Sequence, residues 1–352
     1  MKRLGISTSF LALAAAGWFF TSRPAPAQGG RTSGSGKYKF KVRYTSGHLP
    51  EEAQKVLKGA HGGFAVDLRP GKGESYFALK GAGIVRISGK LDSTQMLPTD
   101  ESMKNTNMHN AGIWYGKDGT PYLTFPGNES AKVFTTAING KLLHTLGKPE
   151  GVDLGHPVPN KYFADGGPFI PTDMEQLDGM MYVATGYSKL DYVLTARIAK
   201  TKPFQITWHD LSFGGKGNGP GQFGTGHGIT VPPGTKRLDV ADRPNSEIDR
   251  FTRHGQYIST LSLPKGSFPC DIHYLDDLGV VGALHGPDRT KGAPIYILEK
   301  DELVSTIMPK EDLGLANFQH IHNAVLRKVD GKLYVIAQAW NPGDFAILEN
   351  VD

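Results

Sequence analysis

A single pattern recurs about every fifty residues along this chain: a short strand, a turn, a strand ending in small residues, then a third strand. The clearest copy runs from Gly219 to Leu261, GPGQFGTGHGITVPPGTKRLDVADRPNSEIDRFTRHGQYISTL, and others begin near Gly62, His109, Thr172, Cys270 and His322. That makes six. A sheet of three or four short strands cannot bury its faces alone, so units of this length pack face to face in a ring, and the spacing predicts an all-β, six-bladed propeller. The 45 glycines and 23 prolines, spread throughout, agree with strands and turns rather than long helices.

The last copy supplies only three strands, while KYKFKVRYT, from Lys37, is a strand-like segment with no partner of its own. It is predicted to close the ring as the outer strand of the last blade, which would remove two exposed edges. The longest stretch without a blade pattern lies between Leu146 and Pro171 and is expected to form a loop over one face.

Ahead of the repeats, Lys2 and Arg3, the apolar run LALAAAGWFF and the small residues Ala25-Pro26-Ala27 read as an export signal over 1–27, cleaved near Ala27. The apolar run is roughly fifteen residues, short of the about twenty that span a bilayer, so no membrane span is expected after cleavage. The protein is then periplasmic or extracellular. QGGRTSGSGK gives a flexible linker over 28–36, and the propeller takes 37–352. Cys270 is the single cysteine, so no internal disulfide can form and stability must come from packing and closure. The net charge of +5 is dispersed, without the Lys/Arg runs of a nucleic-acid footprint.

Aligning the first strand of each repeat on the apolar residues two and four positions on gives one ring: Gly62, His109, Thr172, His227, Cys270 and His322. Inner strands line the propeller axis, so histidines on alternate blades converge there. Three imidazoles leave a fourth position open, a ligand set for a catalytic divalent metal. Zinc is the first expectation, with Fe, Co, Cu and Mn not excluded by imidazole alone. The competing reading is a water-filled channel of hydrogen-bonded histidines. His61 falls one residue out of register and is left outside the set.

A second ring, where each blade's second strand ends, reads Lys80, Gly186-Tyr187, Arg243, His285 and Gln338. If both rings face one mouth, Tyr187 can act as a base and Arg243 as a clamp for an anion. Asp173 and Asp271, just after two ring positions, are expected only to hydrogen-bond turns.

PGQF, the hydrophobic strand after it, and VADRPNSEIDRF resemble the NHL-repeat propellers, and blades two to six are similar in particular to the peptidyl-α-hydroxyglycine α-amidating lyase family. The resemblance pairs His109, His227 and His322 with that family's zinc histidines, Tyr187 in PTDMEQLDGMMYVATGY with its catalytic tyrosine, and Arg243 in ADRPN with an arginine segment. It implies a lyase that cleaves a carbinolamide C–N bond in a small or peptide-derived substrate, giving an amide and a glyoxylate-like aldehyde. The chain departs from the family in having Asn323 after the third histidine, His320 two residues before it, and no disulfides. The family's first-blade arginine corresponds to Arg69 or Lys80, and His320 is a candidate to add or replace a ligand. Two other readings remain: a non-catalytic NHL propeller binding a protein or glycan on one face, and a lactonase-type hydrolase. The latter usually holds calcium with oxygen ligands, whereas this ring offers nitrogen.

Overall fold

Each repeat folds as the pattern requires. In the fourth, Arg237–Asp242 pairs antiparallel with Glu247–Thr252 from Arg237↔Thr252 to Asp242↔Glu247, around a turn that places Ser246 at a φ of 61°. The alternation in the second strand puts Leu238 and Val240 into one core face, while Arg237 lays its guanidinium on the buried carboxylate of Asp239. The computed structural model describes residues 30–351. Among them are six four-stranded sheets, arranged as the blades of a six-bladed propeller. The expected export signal lies outside the described residues.

The ring closes by the N-terminal strand. Phe40–Thr45 pairs antiparallel with Asp344–Asn350, from Phe40↔Asn350 to Thr45↔Ala346, and becomes the outer strand of the sheet that holds His322. Its alternating sequence turns Phe40, Val42 and Tyr44 inward and Lys41 and Arg43 to solvent. The linker expected to be free over 28–36 is not free in its described part. Ser33 exchanges backbone hydrogen bonds with Phe40, Ser35 N–H donates to Thr306 O and Lys37 N–H to Val304 O, so this segment runs along the outer strand of blade five. Unpaired edge groups there outweigh the flexibility of its glycines and serines.

Among the described residues the apolar core divides into six clusters, one at each blade-to-blade interface, and none of them includes the six ring positions. The innermost strands carry polar side chains there, and those ends define the site. The segment from Leu146 to Pro171 contains the helix Pro157–Ala164, capped by His156, whose Nδ1 accepts from Val158 N–H at 3.2 Å. Phe169, just beyond it, is buried and lines the cavity at the mouth of the axis.

Candidate metal centre

The ring read from the repeats closes through hydrogen bonds that alternate around the axis. His109 Nδ1–H donates to Thr172 O, His227 Nδ1–H to Cys270 O and His322 Nδ1–H to Gly62 O, each at 2.7 Å. Every ring histidine thus reaches the backbone carbonyl at the ring position of the following blade. Because a carbonyl only accepts, the proton of each neutral imidazole sits on Nδ1 and its Nε2 presents a lone pair. All three rings are fully buried. Burial first, then neighbouring positive charge including Arg243, holds each of them well below the usual histidine range and therefore neutral.

The lone pairs of His109 and His322 meet, while that of His227 accepts from Tyr187. His322 Nε2 is 3.1 Å from His109 Nε2, and the ring centroids of His109, His227 and His322 lie 4.6 to 5.0 Å apart. Acceptors this close, with no proton to share, suit a bound cation, and an orienting carbonyl on the distal nitrogen is the usual support of a metal-binding imidazole. The residues present therefore fit a divalent metal that takes nitrogen donors.

Tyr187 and Arg243 stand against the third imidazole. Tyr187 O–H donates to His227 Nε2 at 3.1 Å, Arg243 Nη1 donates to the Tyr187 oxygen at 2.7 Å, and Arg243 Nη2 reaches Cys270 Sγ at 3.1 Å. Burial pushes the Tyr187 hydroxyl up, and the guanidinium opposes that shift. Arg243 is itself buried and keeps its charge, with Nε left without a partner.

A residue that register reasoning set aside belongs to this group. The His61 ring packs edge-on against His109 (4.6 Å between centroids) and His322 (4.5 Å), and His61, His109 and His322 each bring a nitrogen within 4.8 Å of the others. The register rule places Gly62 in the ring, where its carbonyl accepts from His322, and it misses His61 because that ring reaches in from one residue earlier. The sequence signal was His61-Gly62-Gly63 itself, in which two residues without side chains leave room at the axis for a ring beside them.

Other predicted positions lie apart from the imidazoles. Arg69 is bound to Asp67, and Lys80 to Glu129, so neither first-blade cation touches the ring nitrogens. His320 Nδ1 bonds to Leu284 O and its ring packs on His285 at 4.7 Å, which ties it to blade five. Gln338 fits with its amide oxygen turned to accept from Gly62 N–H at 3.0 Å and His61 N–H at 3.2 Å.

Two chambers flank the imidazoles. On the mouth side a cavity of about 700 Å³ is lined by His61 and Tyr187 together with Trp340, Phe169, Lys80 and Lys148. On the far side a cavity of about 120 Å³ carries Asp173, Glu175, Asp271 and His273. Asp173 and Asp271 thus do more than bond turns. The residues one step after the ring positions form a ring of their own: Gly63, Asn110, Asp173, Gly228, Asp271 and Asn323. Asn323 Nδ2 donates to Asp271 Oδ2 at 3.1 Å and Asp173 Oδ2 accepts from Ile229 N–H at 2.8 Å. A Cβ on Gly63 would collide with Asn110, and one on Gly228 with Asp271. Burial raises both aspartates above the usual carboxylate range, and the neighbouring Asp271 charge raises Asp173 further.

No protein-family profile matches the chain, and no curated protein is similar to it. Among solved structures it is similar to virginiamycin B lyase from Staphylococcus aureus, at 13% identity over 83% of this chain and 95% of that one, with a TM-score of 0.49. A streptogramin B lyase gives 13% identity over 90% and 98%, with a TM-score of 0.48. The nidogen/laminin complex gives 11% over 80% and 94%, with a TM-score of 0.47.

Proposed function

We propose that the protein is an exported, metal-dependent carbon–nitrogen lyase acting on carbinolamides, such as N-acyl-α-hydroxyglycines. The observation that carries this reading is the alternating set of three imidazoles, their ring centroids gathered within 5.0 Å of one another with each Nδ1 pinned by a backbone carbonyl, and the Tyr187–Arg243 pair beside His227.

His109, His227 and His322 would hold the cation, zinc by first preference; when bound it supplies a Lewis acid for the substrate hydroxyl oxygen. The protein's own groups do the rest. The mouth cavity receives the acyl part of the substrate between Trp340 and Phe169. With a cation on His227 Nε2 the Tyr187 O–H would lose its acceptor there, and Tyr187 would act as the phenolate, held by the Arg243 guanidinium, that takes the hydroxyl proton. As the C–O bond gains double-bond character the C–N bond breaks, and the proton held by Tyr187 is the one the departing nitrogen needs. The products are an amide and an aldehyde, and no water is consumed.

The test is elemental analysis of the mature protein and of His227→Ala, together with glyoxylate release from an N-acyl-α-hydroxyglycine. About one equivalent of a transition metal, lost in the variant along with turnover, is the expected result. A protein that stays metal-free after reconstitution would instead be a binding propeller, with a protein or glycan on one face.

A further inference from the structure

We propose that His61 is a fourth imidazole ligand of the axial cation, entering from the mouth side, and that a substrate oxygen has to displace it. The inference rests on the metal reading above and concerns how that centre is closed.

Position is the first argument. His61 has a nitrogen within 4.8 Å of those of both His109 and His322, the separation at which one ion can be shared. It is also the imidazole of the group that lines the mouth cavity, so it lies between the ring nitrogens and any entering molecule.

Anchoring is the second. The three ring histidines are each fixed by a 2.7 Å bond to a backbone carbonyl. His61 has no such tie; its Nδ1 has Asn107 Nδ2 at 3.4 Å, beyond the ordinary N–H hydrogen-bond range. Its backbone N–H is held by Gln338, so the freedom lies in the side chain. Three imidazoles are therefore each fixed at Nδ1 and one is able to turn about its side-chain bonds.

The cavity side of the ring is lined as well. Trp340 lies 5.1 Å from the His61 ring at an interplanar angle of 30°, an aromatic face on the cavity wall along which the ring can turn away from the imidazoles. A centre built this way is closed to water at rest and opens when a stronger donor arrives, which limits wasteful reactions in the empty site.

Cobalt(II) is the probe, because its visible absorption reports the number and type of donors. Wild type and His61→Ala are loaded with cobalt and titrated with azide. The expected result is an altered cobalt spectrum in His61→Ala, cobalt affinity reduced by at least the about tenfold that loss of outer-sphere support alone costs, and tighter azide binding, since no imidazole has to leave. His61→Asn, a smaller change of shape, replaces the alanine variant if the latter does not fold. An unchanged spectrum with unchanged azide affinity would remove His61 from the coordination sphere while leaving the three-histidine centre intact. Absence of cobalt uptake by wild type itself would overturn the metal reading and this inference together.

Discussion

His322 Nε2 lies 3.1 Å from His109 Nε2, and both rings have committed their only proton, through Nδ1, to carbonyls of the next blade. Two buried lone pairs facing one another raise the energy of the folded protein unless positive charge sits between them. Removing metal with a chelator should therefore lower the melting temperature, and one equivalent of zinc should restore it. For free metal a thousandfold above its dissociation constant the linkage is worth about 4 kcal/mol. His322→Ala should abolish the zinc-dependent shift. A wild-type melting temperature indifferent to both chelator and zinc would contradict the cation site.

Tyr187→Phe keeps the ring and deletes the hydroxyl that bridges His227 and Arg243. If Tyr187 is the base, turnover should fall by roughly a hundredfold or more. The metal should remain, because the carbonyl of Cys270 still fixes His227. Arg243→Lys should also depress turnover, since one ammonium cannot reach both the phenol oxygen and Cys270 as the guanidinium fork does. Unchanged turnover in Tyr187→Phe with metal bound would take Tyr187 out of the mechanism.

The blades were legible because their pattern is local: each strand, turn and strand lies within one repeat. The convergence of His109, His227 and His322 followed from equal register in three copies. His61 escaped because it stands one residue before the ring position of its blade, Gly62, so equal register leaves it out. The Nδ1 bonds were also beyond reach, as each joins residues 43 or more positions apart. The far chamber could have been seen. Asn110, Asp173, Asp271 and Asn323 hold one register, but short polar residues next to a strand start read equally well as turn formers until the ring is closed.

Ring closure makes its own prediction. Phe40 is fully buried between the last two blades, in the same cluster as Val42 and Phe318, although it arrives from the other end of the chain. Phe40→Ala should cost about 3–5 kcal/mol, the usual penalty for emptying a buried aromatic site. Lys41→Ala, on the solvent side of the same strand, should change stability little. Denaturant unfolding followed by tryptophan fluorescence separates the two, and equal stabilities would mean that the closing strand adds nothing to the ring.

The far chamber predicts an unusual pH dependence. Glu175 lies beside Asp271, and burial followed by that repulsion pushes its carboxyl up to about 8. The unfolded chain holds an ordinary glutamate that ionises near pH 4.3. Between those two values the folded state binds the extra proton, so this residue's contribution to stability falls as pH rises from about 4.3 towards 8 and then levels off. Glu175→Gln cannot ionise and removes the penalty. The variant should match wild type near pH 4 and exceed it in melting temperature by a margin that grows up to about pH 8, measured on metal-stripped protein so that the axial site does not contribute. The ring histidines act in the other direction, since they stay neutral when folded and their unfolded counterparts take up protons below about pH 6.5, which lowers wild-type and variant stability alike. The ring histidines therefore cancel in the difference between the two proteins, which reports Glu175 together with the repulsion it shares with Asp173 and Asp271, and a difference that is flat with pH would show that its carboxyl is not held in the protonated form.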